Sequence, residues 1–124
     1  MDTGEQYIKM CEKAIEVQAR KPFDRMSWYV TRCLDPDEND VIEGFNLCSV
    51  STAVWLPRQD QLQGMVPYGL MYQVGMFNEF VVDMKGNWIT GENEMFSSME
   101  QLWLAFVMKE KYGKKWCEDK WETV

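Results

Sequence analysis

Apolar residues cluster most densely near the C-terminal end of the chain, where Leu102 to Met108 form seven in a row. At about 100° per residue such a run covers the whole circumference of a helix, which predicts burial on nearly all sides. Ser97 with Glu100 reads as a capping box that starts this helix. Gly113 and the surrounding lysines suit its end, where cations oppose the negative pole of the helix dipole. The stretch 97–116 is therefore predicted to be the core helix on which the other elements pack.

Earlier in the chain the pattern changes twice. Thr3 with Gln6 reads as a capping box opening a helix to about Ala19, with Tyr7, Ile8, Cys11, Ala14, Ile15 and Gln18 on one stripe. Lys21-Pro22 ends it. From Arg25 to Pro57 the pattern is that of strands: Trp28–Thr31, Val41–Cys48 and Ser51–Trp55. The turn formers Asp35-Pro36-Asp37-Glu38-Asn39-Asp40 separate the first two. Short connections favour an antiparallel meander, with Gly44 marking a bulge.

Pro57 suits the first position of a helix running from Arg58 to about Val66, with Leu62, Met65 and Val66 inward. Pro67-Tyr68-Gly69 breaks the chain. Leu70 to Met84 then reads as a helix with Leu70, Val74, Phe77, Val81 and Met84 on its buried stripe. Lys85-Gly86-Asn87 and Gly91-Glu92-Asn93 are loop signals around Trp88-Ile89. Trp116 and Trp121 are expected to cover the end of the core helix.

The expected fold class is thus α+β: an N-terminal helix, a small antiparallel sheet, then helices packed around a buried C-terminal core helix. A chain of 124 residues with 46% apolar content makes a single domain, residues 1–124, with a sizeable core. The net charge of −7 comes from the middle, where residues 35–95 hold ten acids and two bases. Binding phosphate needs clustered Lys and Arg, so direct nucleic-acid binding is not expected. Ten methionines and six tryptophans suit core filling, and they also suit adaptable binding surfaces.

The absence of histidine removes Ser-His and Cys-His nucleophiles and His-ligated metals. With no P-loop and no dinucleotide fingerprint, no catalytic residue is assigned and a non-enzyme is expected. Cys11, Cys33, Cys48 and Cys117 form no CxxC pair, so they are expected to be unbridged, reduced and without zinc. Asp35, Asp37 and Asn39 match the first ligands of an EF-hand loop. Asp40 stands where that loop needs Gly and Asn46 where it needs Glu, so no metal or cofactor is expected. No signal peptide, membrane span or lipidation motif is read, which implies no membrane partner and a cytoplasmic location.

One polar segment stands out: Trp55, then Arg58, Gln59, Asp60 and Gln61, where a strand runs into a helix. A helix start offers free N–H groups and a positive dipole end, which suits a carboxylate or phosphate. Arg58 adds a fixed planar fork of donors. These five residues are the candidate ligand- or partner-binding set. The competing reading has Trp55 in the core, Asp60 at a favourable helix end and Arg58 paired.

Trp55–Gln63 (WLPRQDQLQ) and Ser98–Trp116 (SMEQLWLAFVMKEKYGKKW) resemble stretches of short uncharacterised proteins of phages and prophages of Gram-positive bacteria. Tyr7–Gln18 is similar to their opening helix. The resemblance implies a phage accessory setting in the host cytoplasm, with no implied activity or cofactor. The expected function is a non-enzymatic protein-binding module. Two alternatives are a small anionic-ligand binder centred on Trp55 and Arg58, and a structural or assembly protein acting as a homo-oligomer.

Overall fold

A computed structural model describes residues 1–22, 26–31, 40–43, 53–84, 96–117 and 119–123. In chain order these form α1 (Glu5–Lys13), α2 (Ile15–Gln18), β1 (Trp28–Thr31), β2 (Asp40–Glu43), β3 (Val54–Leu56) and α3 (Gln59–Gln63). α4 (Leu70–Met84), α5 (Met99–Tyr112), β4 (Lys114–Cys117) and β5 (Lys120–Thr123) follow. This is the expected α+β fold, organised around α5. From Trp103 to Met108 every residue of that helix is buried, and Leu102 packs half-buried against the same core.

Two polar devices hold α5 at its ends. Its N-cap is Ser98, whose hydroxyl accepts a hydrogen bond from the Gln101 amide at 3.2 Å. The predicted Ser97–Glu100 capping box is not formed: the cap lies one residue later, at Ser98, and the Gln101 side chain returns to Ser97 N rather than to the cap's own N–H. The Gln101 side chain is buried, and its amide uses its full bonding capacity. Its oxygen accepts from Ser97 N (3.0 Å) and Gln6 Nε2 (3.1 Å), and its nitrogen donates to Asp2 Oδ2 (2.8 Å) and Ser97 Oγ (3.1 Å). Burying Gln101 is tolerable because no donor or acceptor is left unpaired. At the other end Gly113 takes the left-handed conformation (φ +62°) that a residue with a Cβ adopts at a cost, as expected for this stop.

The N-terminal helix differs from expectation. Gly4 is its N-cap and accepts no side-chain bond from Thr3; instead Asp2 Oδ1 accepts from Gly4 N at 2.8 Å. At Ala14 the backbone leaves the helical region (ψ 72°), splitting the expected single helix into α1 and α2. The break shifts the helical phase. Met10 and Val17 are buried, whereas Ile15, expected inside, is 67% exposed.

The three-stranded sheet has the order β2-β1-β3, with antiparallel pairs Thr31↔Asp40 and Tyr29↔Trp55. The expected meander is corrected: β3 pairs with β1, not β2. Its outer edge is closed by Gln18, whose side-chain amide accepts from Trp55 N (2.9 Å) and donates to Trp55 O (2.8 Å). Tyr7 Oη donates to Pro57 O at 2.6 Å, fixing α1 at the residue that follows the same strand. Position in the sheet is thus decided by packing on the N-terminal helices rather than by chain order. Pro57 precedes the N-cap Arg58, so it is not the first helical residue, and α3 is shorter than expected. Leu62, Met65 and Val66 are buried as expected.

β4 and β5 form a hairpin that the sequence pattern did not indicate. Trp116 and Trp121 are paired across it with ring centroids 5.1 Å apart, and Trp121 Nε1 donates to Met10 O at 2.9 Å. Their expected place beside the end of α5 is kept, but on strands. Asp119, just before β5, takes a positive φ (67°), a conformation that Asp tolerates better than most residues. The expectations for Asp35–Asn39, Cys33, Gly44, Cys48 and residues 85–95 lie outside the described residues. Cys11 and Cys117 are free thiols.

Phe106 is fully buried and touches the rings of Phe77, Phe80 and Trp103. Phe106→Ala is expected to cost about 3–5 kcal/mol in denaturant unfolding, the range for truncating an enclosed ring. A loss below 1 kcal/mol would show that α5 is not enclosed.

Candidate functional site

Trp55 is 2% exposed, and its neighbours in β3 are buried with it. Its indole N–H finds no acceptor among the described residues, and the same holds for Trp103. The ring therefore belongs to the core rather than to an accessible wall.

Arg58 closes on its own helix end. Nε donates to Asp60 Oδ1 at 3.0 Å and Nη2 to Asp60 Oδ2 at 3.2 Å, a bidentate fork, and Nη1 donates to the Met26 carbonyl. The guanidinium beside Asp60 holds that carboxyl below the usual carboxylate range, by hydrogen bonding first and by charge second. Gln61 folds back to accept from Arg58 N at 2.9 Å and donates to Ser27 Oγ at 2.9 Å. Gln59 is the first residue of α3 and is half-buried. The structure thus brings Arg58, Asp60 and Gln61 together, but directs their polar atoms at one another, at Met26 and at Ser27. α3 has five residues, too few to build much of a dipole.

Two buried reactive groups of α1 are quiet. Burial pushes the Cys11 thiol and the Tyr7 hydroxyl well above their ordinary values, so both stay protonated and Cys11 is no nucleophile. Among the described residues no three Cys, Asp or Glu side chains gather as a metal site, and no helix is long and apolar enough to cross a membrane.

The unexpected surface is on α4. Its inner side consists of Gln73, Met76, Phe77, Phe80 and Val81. Phe77 stacks on Trp103 with centroids 4.2 Å apart and planes within 3°, and Gln73 Nε2 donates to Gln63 O at 2.8 Å. Leu70 and Val74, expected on the buried stripe, are instead 69% and 54% exposed. Met71 is 86%, Tyr72 59% and Val82 40% exposed. Met71, Gly75, Asn78 and Val82 project within an arc of roughly 60° at the helical period. The first two turns of α4 are thus apolar on the side facing solvent as well as on the side facing the core.

Two features make this face unusual. From Gln61 to Asn78 there are eighteen residues without one Asp, Glu, Lys or Arg, in a chain that is 27% charged. That uncharged run was the available signal for the face; helical periodicity could not supply it, because both sides of α4 are apolar. Gly75 lies exposed in mid-helix, and a Cβ built there would meet nothing within 4 Å. Glycine in a helix interior costs about 0.5–1 kcal/mol relative to Ala. No packing among the described residues requires it.

Comparison with protein-family models, with curated proteins and with solved structures finds no match to this chain.

Arg58 is partly exposed, so its loss is expected to cost on the order of 1 kcal/mol rather than the larger penalty of breaking a fully buried pair. Asp60's depressed carboxyl contributes stability above the ordinary carboxylate range and loses it as pH falls through the lower folded value. The Arg58→Ala deficit should therefore be full above about pH 5 and shrink in more acid solution, as carboxylates near their unperturbed range protonate. Urea unfolding of both proteins across pH 2–7 checks this; a deficit independent of pH would remove Asp60 from the explanation.

Proposed function

We propose that the protein is a non-enzymatic protein-binding module that docks through the outer face of α4. The observation that carries this reading is the solvent-facing cluster of Leu70, Met71, Tyr72 and Val74 within the uncharged run. Interface centres are depleted of charge and enriched in Met and aromatic residues, and this face has that composition. With Val82, five large apolar side chains at these exposures leave on the order of 500 Å² uncovered, at the upper end of what monomers display. A basic amphipathic face would suit an anionic membrane, but this run carries no Lys or Arg. The same lack disfavours nucleic acid.

The resemblance of Trp55–Gln63 and Ser98–Trp116 to phage and prophage proteins supports an accessory role in a host cytoplasm. The anionic-ligand reading has less support, since Trp55 is buried and Arg58 is bonded to Asp60 and Met26.

Met71 is so exposed that Met71→Glu is expected to change stability by no more than about 0.5 kcal/mol. Binding should respond very differently. A partner captured on immobilised wild-type protein, a further copy of this chain included, should bind the Met71→Glu variant at least tenfold more weakly in a titration. Equal affinity for both would place the docking surface elsewhere.

A further inference from the structure

We infer that the occupant of the α4 face is a second copy of this chain, with two α4 helices crossing antiparallel so that Met71 of each protomer seats against Gly75 of the other. This rests on the reading of α4 as the docking face and names its partner.

Electrostatics favours a like partner on this face. Each protomer carries a net charge of −7, so two copies repel wherever their acidic surfaces meet. The stretch from Gln61 to Asn78 has no charge of either sign, and a two-fold interface sets a patch against itself. An uncharged patch is compatible with its own image. A face made for a basic partner would carry acids within it, and this one does not. The only charged side chain described on the exposed part of α4 is Glu79, in its second half. In an antiparallel pair each Glu79 lies towards the N-terminal half of the partner helix, which is uncharged and has the positive dipole end. In a parallel pair the two carboxylates would instead stand level with each other, away from the partner's positive dipole end.

Shape points the same way. Met71 and Gly75 lie one turn apart on the outermost stripe. A two-fold axis between them brings Met71 of one copy to Gly75 of the other, and the reverse. The open space at Gly75 is a notch for an unbranched, adaptable side chain. It also lets two helix axes approach to the close end of the usual 8–10 Å range.

The exposed area is of the order that a dimer of standard size needs. A standard interface buries about 800 Å² on each side. The apolar cluster supplies roughly 500 Å² of this. Pro67, Gly69, Gly75, Asn78 and Glu79, all exposed around it, supply more.

The test is solution mass by light scattering over a range of concentrations up to about 100 μM, high enough to populate a micromolar dimer. Wild-type protein is expected to approach twice 14.7 kDa and to fall towards 14.7 kDa on dilution. Met71→Glu and Gly75→Lys should each stay at the single mass. In dilute solution, where both proteins are single, Gly75→Lys should also melt at or above the wild-type temperature, because Lys is the better helix former and a Cβ there meets nothing within 4 Å. An equimolar mixture of the two variants should regain the double mass, since the carboxylate introduced at position 71 of one protomer would then face the ammonium introduced at position 75 of the other.

A wild-type protein that stays at 14.7 kDa throughout overturns the second copy as occupant; the α4 reading survives if a captured partner still depends on Met71. Doubled mass in both variants overturns the dimer face and the α4 reading together. Variants that are single alone and remain single when mixed overturn the Met71–Gly75 register.

Discussion

A helix with no polar side must be surrounded, and α5 imposes that condition on everything else. Six consecutive buried residues, Trp103 to Met108, need neighbours all the way round. α1, α3, α4 and the β4–β5 hairpin supply them, and the sheet is held to the same body through α1. The polar cost falls on the helix ends. Gln101 and Ser98 satisfy the start, and Gly113 turns the chain into β4 at the end.

Neutral side-chain amides satisfy backbone at four places close to this core. Gln18 completes the edge of β3, Gln61 the start of α3, Gln73 the end of α3 and Gln101 the start of α5. Each amide has a donor and an acceptor in one group, so it can pair with backbone without burying a charge. Sequence patterns treat these glutamines as ordinary polar positions, yet they join elements far apart in the chain.

That contrast explains what was legible in the sequence. β1 and the buried character of α5 followed from local composition alone, because a β-branched and aromatic cluster or an unbroken apolar run leaves little choice. Ile15 was misassigned because the break at Ala14 resets the helical phase, and no proline or glycine announces it. The sheet order could not be read from adjacency, since Gln18 and Tyr7 fix β3 from elsewhere. β4 and β5 were missed because their turn lacks the usual Asn-Gly signal. Of the candidate site, the clustering of Arg58, Asp60 and Gln61 was legible, but not that they bond inward. On α4, two apolar sides left periodicity unable to say which faces solvent. The absence of charge from Gln61 to Asn78 was the more telling pattern.

The central claim is that α5 is enclosed while the first turns of α4 are open in the single chain and covered only in association. Hydrogen exchange at dilute and at high protein concentration tests it most directly. Amides of Leu104–Met108 are predicted to exchange only through global unfolding at both concentrations. Amides of Met71–Gly75 should exchange orders of magnitude faster when dilute, and slow down when concentrated. If the Met71–Gly75 amides are already as protected as those of α5 in dilute solution, the face is closed within the single chain and the claim is contradicted.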